Sequence, residues 1–140
     1  MAGKSVILIV DPEETARRAL CAVIRSDDYE LIEYSDAHEA LARLGILSES
    51  FDLIITEYLM PEMNGLDFLR QARALRPDAL RIMLTGHADL DIAVAAINEA
   101  AVYRFLLKPW DAFDLRVMVK LALHHLASLR YTERMARQAR

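Results

Sequence analysis

The sequence predicts an α/β domain built on a five-stranded parallel sheet. Three observations carry this. Short apolar runs alternate with amphipathic stretches along the chain. The first run, "SVILIV" (5–10), is apolar at almost every position, as in a strand covered on both faces. And 140 residues suffice for one sizeable core but not two.

Each element follows in order. After the first strand, Ala16, Leu20, Val23 and Ile24 fall near helical spacing, so a helix is predicted from Glu14 to about Ser26. "YELIEY" (29–34) alternates and carries two glutamates, which suits a less buried strand. Asp36 is a good cap for a short helix ending near Leu44, with Gly45 as its stop. "DLIIT" (52–56) is the third strand, and Gly65 to about Leu75 the next helix, closed off by Pro77. "RIMLT" (81–85) is the fourth strand, followed by a helix from about Leu90 to Glu99. "RFLL" (104–107) is the fifth strand, ending at Lys108-Pro109, and Asp111 caps the last helix.

Composition narrows the function classes. The chain is 54% hydrophobic and 27% charged, with net charge −4, so nothing in its overall balance recommends nucleic acid as a partner. One cysteine, Cys21, makes no internal disulfide and reads as a small buried side chain, which fits a reducing cytoplasm. "SVILIV" is too short for a membrane span or a signal-peptide core, and no targeting segment is legible. His38, His87, His124 and His125 have no metal-type spacing and read as surface or helix residues. Leu59, Met60 and Met63 read as packing or loop residues, and Trp110 as packing at the start of the last helix. A cofactor-binding enzyme of similar architecture would need a phosphate-cradling glycine loop. None of the four glycines clusters after the first strand.

In parallel α/β sheets, function collects where loops leave the carboxyl ends of the strands. There the sequence sets Asp11, Pro12 and Glu13 after strand one, Glu57 at strand three, Thr85 at strand four and Lys108 at strand five. Acids, a hydroxyl and an ammonium converge on one edge.

That constellation, with "ILIVDPEE", "DLIITEYLMPEMNGLDFL", "RIMLTGHADLD" and "YRFLLKPW" in this order, resembles the receiver domain of two-component response regulators over roughly residues 4–125. The resemblance implies a doubly wound, flavodoxin-like (βα)5 fold and a non-enzymatic signalling role. In the family an aspartate at the end of strand three accepts a phosphoryl group, and acids after strand one hold Mg²⁺. A lysine contacts the phosphoryl group, and a hydroxyl and an aromatic residue then switch. By position, Lys108 matches the lysine, Thr85 the hydroxyl, Phe105 the aromatic and Asp11 the first strand-one acid. The resemblance also implies a cis Lys108–Pro109 peptide.

Two positions depart. Pro12 stands where the family has its direct metal-binding acid, and Glu57 where it has the acceptor aspartate. An extra methylene advances a carboxylate by about 1.5 Å, into the space an incoming phosphoryl group needs, where Lys108 and Thr85 are expected to engage it. In-line attack does not tolerate such misplacement. The expectation is a receiver that is phosphorylation-independent or weakly phosphorylatable, acting through its α4-β5-α5 face. Mg²⁺ binding at Asp11 and Glu13 is expected to be weak or absent, with no other cofactor. The alternative is a working Mg²⁺-dependent acceptor controlling an attached output domain. Asp52 is discounted as acceptor because it lies at the wrong end of its strand. "YRFLLKPW" resembles receivers attached to HD-GYP-type phosphodiesterases and to some transcriptional activators.

The implied partners are a sensor histidine kinase or phosphotransfer protein and a C-terminal output domain. Residues 1–125 form the receiver, and 126–140 read as a helical extension or linker, with a disordered tail as the other reading. Leu115, Val119, Ala122, Leu126 and Leu129 keep a 3-4 apolar spacing, which suggests homodimerisation through the last helix.

Overall fold

A computed structural model describes residues 3–86 and 90–139. Five strands and five helices alternate: β1 (Ser5–Val10), α1 (Glu14–Ile24), β2 (Tyr29–Tyr34), α2 (Ala37–Leu44), β3 (Leu53–Glu57), α3 (Gly65–Leu75), β4 (Leu80–Thr85), α4 (Leu90–Ala100), β5 (Arg104–Leu107) and α5 (Ala112–Gln138). The strands form one parallel sheet in the order β2-β1-β3-β4-β5. The doubly wound α/β architecture expected from the sequence is therefore the observed one.

Strand pleating sorts the side chains into two cores. Leu8, Val10, Ile54 and Met83 face α2, α3 and α4, where they meet Ala40, Phe68, Leu69 and Ala96. Ile7, Ile9, Leu53, Ile55, Ile82 and Leu84 face α1 and α5, where they meet Leu20, Ile24, Leu115 and Val119. β1 and β3 lie inside the sheet and are buried on both faces from Ile7 and Leu53 onward, whereas the edge strand β2 is only partly covered. Cys21 lies in the second core, and burial, with Glu33 nearby, pushes its thiol up to about 12. That keeps it protonated and inert.

Caps set the helix starts. Asp36 accepts from the His38 and Glu39 amides, Asn64 from Asp67 and Asp111 from Asp114. α1 stops at Ile24, two residues short of the predicted Ser26. α5 continues as one helix from Ala112 to Gln138. Four of the residues expected to pair two copies are spent inside one: Leu115, Val119 and Ala122 lie in the α1–α5 core, and Leu126 is buried as well.

α5 starts beside the carboxyl edge of the sheet and runs to the opposite edge. There Arg130 Nη1 lies 2.5 Å from Asp52 Oδ1, and its Nη2 lies 3.4 Å from Asp78 Oδ2. Asp52 Oδ2 in turn accepts a 2.7 Å hydrogen bond from the Val6 amide. Asp52 thus anchors α5 at Arg130, far from the functional edge. Among the described residues, no helix is long and apolar enough to cross a membrane.

Candidate functional site

The pleat also decides which functional side chains meet. Asp11 follows Ile9, Glu57 follows Ile55 and Lys108 follows Leu106, each two residues on, so all three extend the α1–α5 face past the sheet's carboxyl edge. Phe105 pairs with Met83 and packs against the α2–α4 core, and Thr85 ends β4. Asp11, Glu57 and Lys108 converge; Thr85 is fully buried at the end of β4, and Phe105 is half-buried on β5.

Glu57 is the last residue of β3 and is 9% exposed. Its Oε2 lies 3.1 Å from Lys108 Nζ, and the same ammonium lies 3.3 Å from Asp11 Oδ2. Lys108 thus bridges two buried carboxylates. Glu57 Oε2 is enclosed and accepts no well-aligned hydrogen bond among the described residues, so the contact with Lys108 is an ion pair rather than a directed hydrogen bond. Burial raises the Glu57 carboxyl above its ordinary value, and the Asp11 charge adds to this; Lys108 and the Leu59 amide oppose it. Burial pulls the Lys108 ammonium down, but Glu57 and Asp11 outweigh that, and its pKa is raised.

Local structure holds this arrangement. Asp11 Oδ1 accepts the Glu13 amide at 2.9 Å, and the Asp11 carbonyl accepts from Arg17 Nη1 at 2.8 Å. Arg17 Nε also reaches Glu33 on β2, at 3.1 Å. Behind Glu57, α3 begins so close to β3 that only glycine fits. A Cβ at Gly65 would press into the Glu57 carbonyl oxygen and lie 2.9 Å from Tyr58 Cα. Met60 and Met63 pack against the first core, as expected of packing residues. The Lys108–Pro109 peptide is cis.

One expected participant takes another place. Glu13 is an exposed residue at the N-cap of α1 rather than a member of the cluster, because the chain turns there to enter the helix. His87 lies outside the described residues. His38, His124 and His125 are exposed, and His125 stacks on Tyr103 with ring centroids 5.3 Å apart. Sequence reasoning misses Arg17, Gly65 and the Asp52–Arg130 anchor. A glycine directly after an N-cap asparagine is the one available signal for Gly65.

The resemblance implies Mg²⁺ at this edge. Among the described residues no three His, Cys, Asp or Glu side chains gather as a ligand set. The two carboxylates that do converge are already bridged by an ammonium. That donor set does not fit a hard dication that wants octahedral oxygen ligands.

Comparison with known proteins gives the family. The response regulator receiver domain model matches residues 7–120. The chain belongs to the response regulator receiver family. The hydrogenase transcriptional regulatory protein HoxA of Bradyrhizobium diazoefficiens is 32% identical over 88% of this chain and 25% of its own length. The signal receiver domain of an HD domain-containing protein from Pseudomonas fluorescens superposes with a TM-score of 0.86 at 35% identity, covering 94% of this chain and 95% of that one. A CheY-like receiver from Methanospirillum hungatei gives 0.83 at 29% identity, covering 90% and 98%. The chain spans about a quarter of the length of the curated relatives it matches. It is a two-component receiver domain, homologous to receivers that regulators carry beside output domains.

Proposed function

We propose that this receiver signals without being phosphorylated. On this reading Glu57 stands at the phospho-acceptor position and its own carboxylate takes the place of the phosphoryl group. The observation that carries the proposal is the 3.1 Å pairing of Glu57 Oε2 with Lys108 Nζ. The ammonium that would receive a phosphoryl group is already neutralised, by Glu57 and Asp11 together. Pro12 removes an acid from the metal loop, and Glu13 is exposed, so Mg²⁺ binds weakly or not at all. Thr85 and Phe105 are the switch pair, held in one arrangement by the fixed charge at Glu57.

Output passes through the α4-β5-α5 face to a protein partner. Support comes from apolar side chains that are exposed there: Val94 and Ile97 on α4, Leu107 on β5, and Phe113, Val117 and Leu121 on α5. The partners in view are an output domain carried on the same polypeptide, of transcriptional-activator or HD-GYP type, and a histidine kinase or phosphotransfer protein. The place of action is the cytoplasm.

Acetyl phosphate with Mg²⁺, followed by intact-mass spectrometry, tests this. The native chain is expected to keep its mass, whereas Glu57→Asp combined with Pro12→Asp is expected to gain a phosphoryl adduct. A stoichiometric adduct on native Glu57 overturns the reading.

A further inference from the structure

α1 and α5 lie side by side over the second core, and a cavity of about 120 Å³ opens between the last turn of α1 and the early turns of α5. Arg25, Ser26 and Tyr29 line it on one side and Arg116 and Lys120 on the other, with the buried Ile24 and Val119 beneath. α1 starts just after Asp11 and ends here, 11 residues or roughly 15 Å on, so the cavity lies at the other end of that helix from Glu57 and Lys108.

Three cations meet there without an anion. Among the described residues, Arg25, Arg116 and Lys120 form no ion pair and no side-chain hydrogen bond. Asp27 and Asp28 sit on the adjoining turn, yet neither pairs with any of the three. Helix electrostatics account for only one of these cations. Arg25 is the C-cap of α1, where a positive charge is favoured. Arg116 and Lys120 stand in the second and third turns of α5, four residues apart, a spacing at which like charges repel. Hydroxyls complete the ring. Ser26 Oγ accepts from the Asp28 amide at 3.1 Å, which leaves its own proton to donate. Burial, with Asp28 nearby, raises the Tyr29 phenol, so it too stays a donor.

We propose that this cavity is a binding site for a phosphate group, remote from the acceptor position and resting on no part of the acceptor reading. Two guanidinium groups and an ammonium beside hydroxyl donors are the set that a highly charged oxyanion selects, and the paired N–H groups of arginine match phosphate oxygens. The volume equals that of roughly four waters, the space of one tetrahedral oxyanion and too little for a nucleoside. An acidic protein segment meets its cations along an open stripe. Here Ile24 and Val119 close the floor and confine the site to one anion. Bound there, the anion ties the end of α1 to α5 and relieves the repulsion between Arg116 and Lys120. Domain stability then depends on phosphate concentration.

Amide and side-chain NMR of the whole chain, titrated with inorganic phosphate against sodium chloride of equal ionic strength, tests the proposal. Saturable shifts are expected at Arg25, Ser26, Tyr29, Arg116 and Lys120, with a Kd of about 1 mM. Phosphate at about ten times that concentration is expected to raise Tm, and matched chloride is not. Arg116→Gln with Lys120→Gln is expected to weaken binding about tenfold or more while Tm in chloride stays unchanged. Arg134→Gln with Arg137→Gln, a cationic pair farther along α5, is expected to leave phosphate binding as it is. Ribose 5-phosphate separates the two sources of the group: a Kd below that of inorganic phosphate marks an ester as the ligand, and an equal or higher one marks the free ion. No saturation by about 20 mM phosphate overturns the proposal. So do shifts centred on Lys108, binding that survives the Arg116 and Lys120 changes, or a polyglutamate peptide that occupies this site while phosphate does not.

Discussion

Replacing Lys108 by Met removes the ammonium and keeps most of the apolar stem. At 3.1 Å and an effective dielectric near 20, each of its two carboxylate contacts amounts to about 5 kcal/mol of direct attraction. Desolvation of three charged groups offsets most of that. Because the Lys108 side chain is 26% exposed, the net loss at neutral pH falls below the usual range for a broken buried pair, at about 2–3 kcal/mol. Most of this is the penalty of leaving Asp11 and Glu57 facing one another without a cation.

That penalty depends on pH. The Glu57 carboxyl is already raised in the fold, and losing Lys108 raises it further. A raised folded pKa means that the folded state binds the proton more tightly than the unfolded chain does. The variant's stability relative to native is therefore greatest below the ordinary carboxylate value and falls as pH rises through the folded value. Urea unfolding at acid and neutral pH measures this. The deficit is expected to be small near pH 4.5 and full at pH 7, and Glu57→Gln added to Lys108→Met is expected to recover most of it. A deficit that is independent of pH, or under about 0.5 kcal/mol at pH 7, refutes the ion-pair reasoning.

Two further outcomes are expected. Gly65→Ala forces the start of α3 away from β3 and destabilises the domain by about 2 kcal/mol in thermal or urea unfolding. Arg130→Ala releases the distal half of α5 from Asp52 and Asp78, so amide-exchange protection is lost from about residue 127 onward while the sheet keeps its own.

The fold is legible in the sequence because its strands sit in a parallel sheet covered on both faces. Runs such as "DLIIT" are then apolar throughout and contrast with the helices between them. Asp11, Glu57 and Lys108 are legible as strand-end residues, and equal parity past each strand makes them converge. Where Glu13 points depends on how the chain turns into α1, which local sequence does not encode. Arg17 and Arg130 act across the fold on an Asp11 carbonyl and an Asp52 carboxylate, and no local spacing announces either contact. On α5 the apolar residues of two faces interleave. Spacing alone favours Leu115, Val119, Ala122 and Leu126 as a pairing seam, but the sheet occupies that face. Leu129 stays 41% exposed where that stripe runs out.

Titration of the native chain with beryllofluoride and Mg²⁺, followed by fluorine NMR, tests most directly whether the Glu57 carboxylate already fills the pocket beside Lys108. No protein-bound fluoride resonance is expected at any Mg²⁺ concentration, and the Lys108 side-chain signals should stay in place. A saturable bound resonance that disappears with Glu57→Gln would contradict this, because the pocket would then be open and Glu57 a working acceptor.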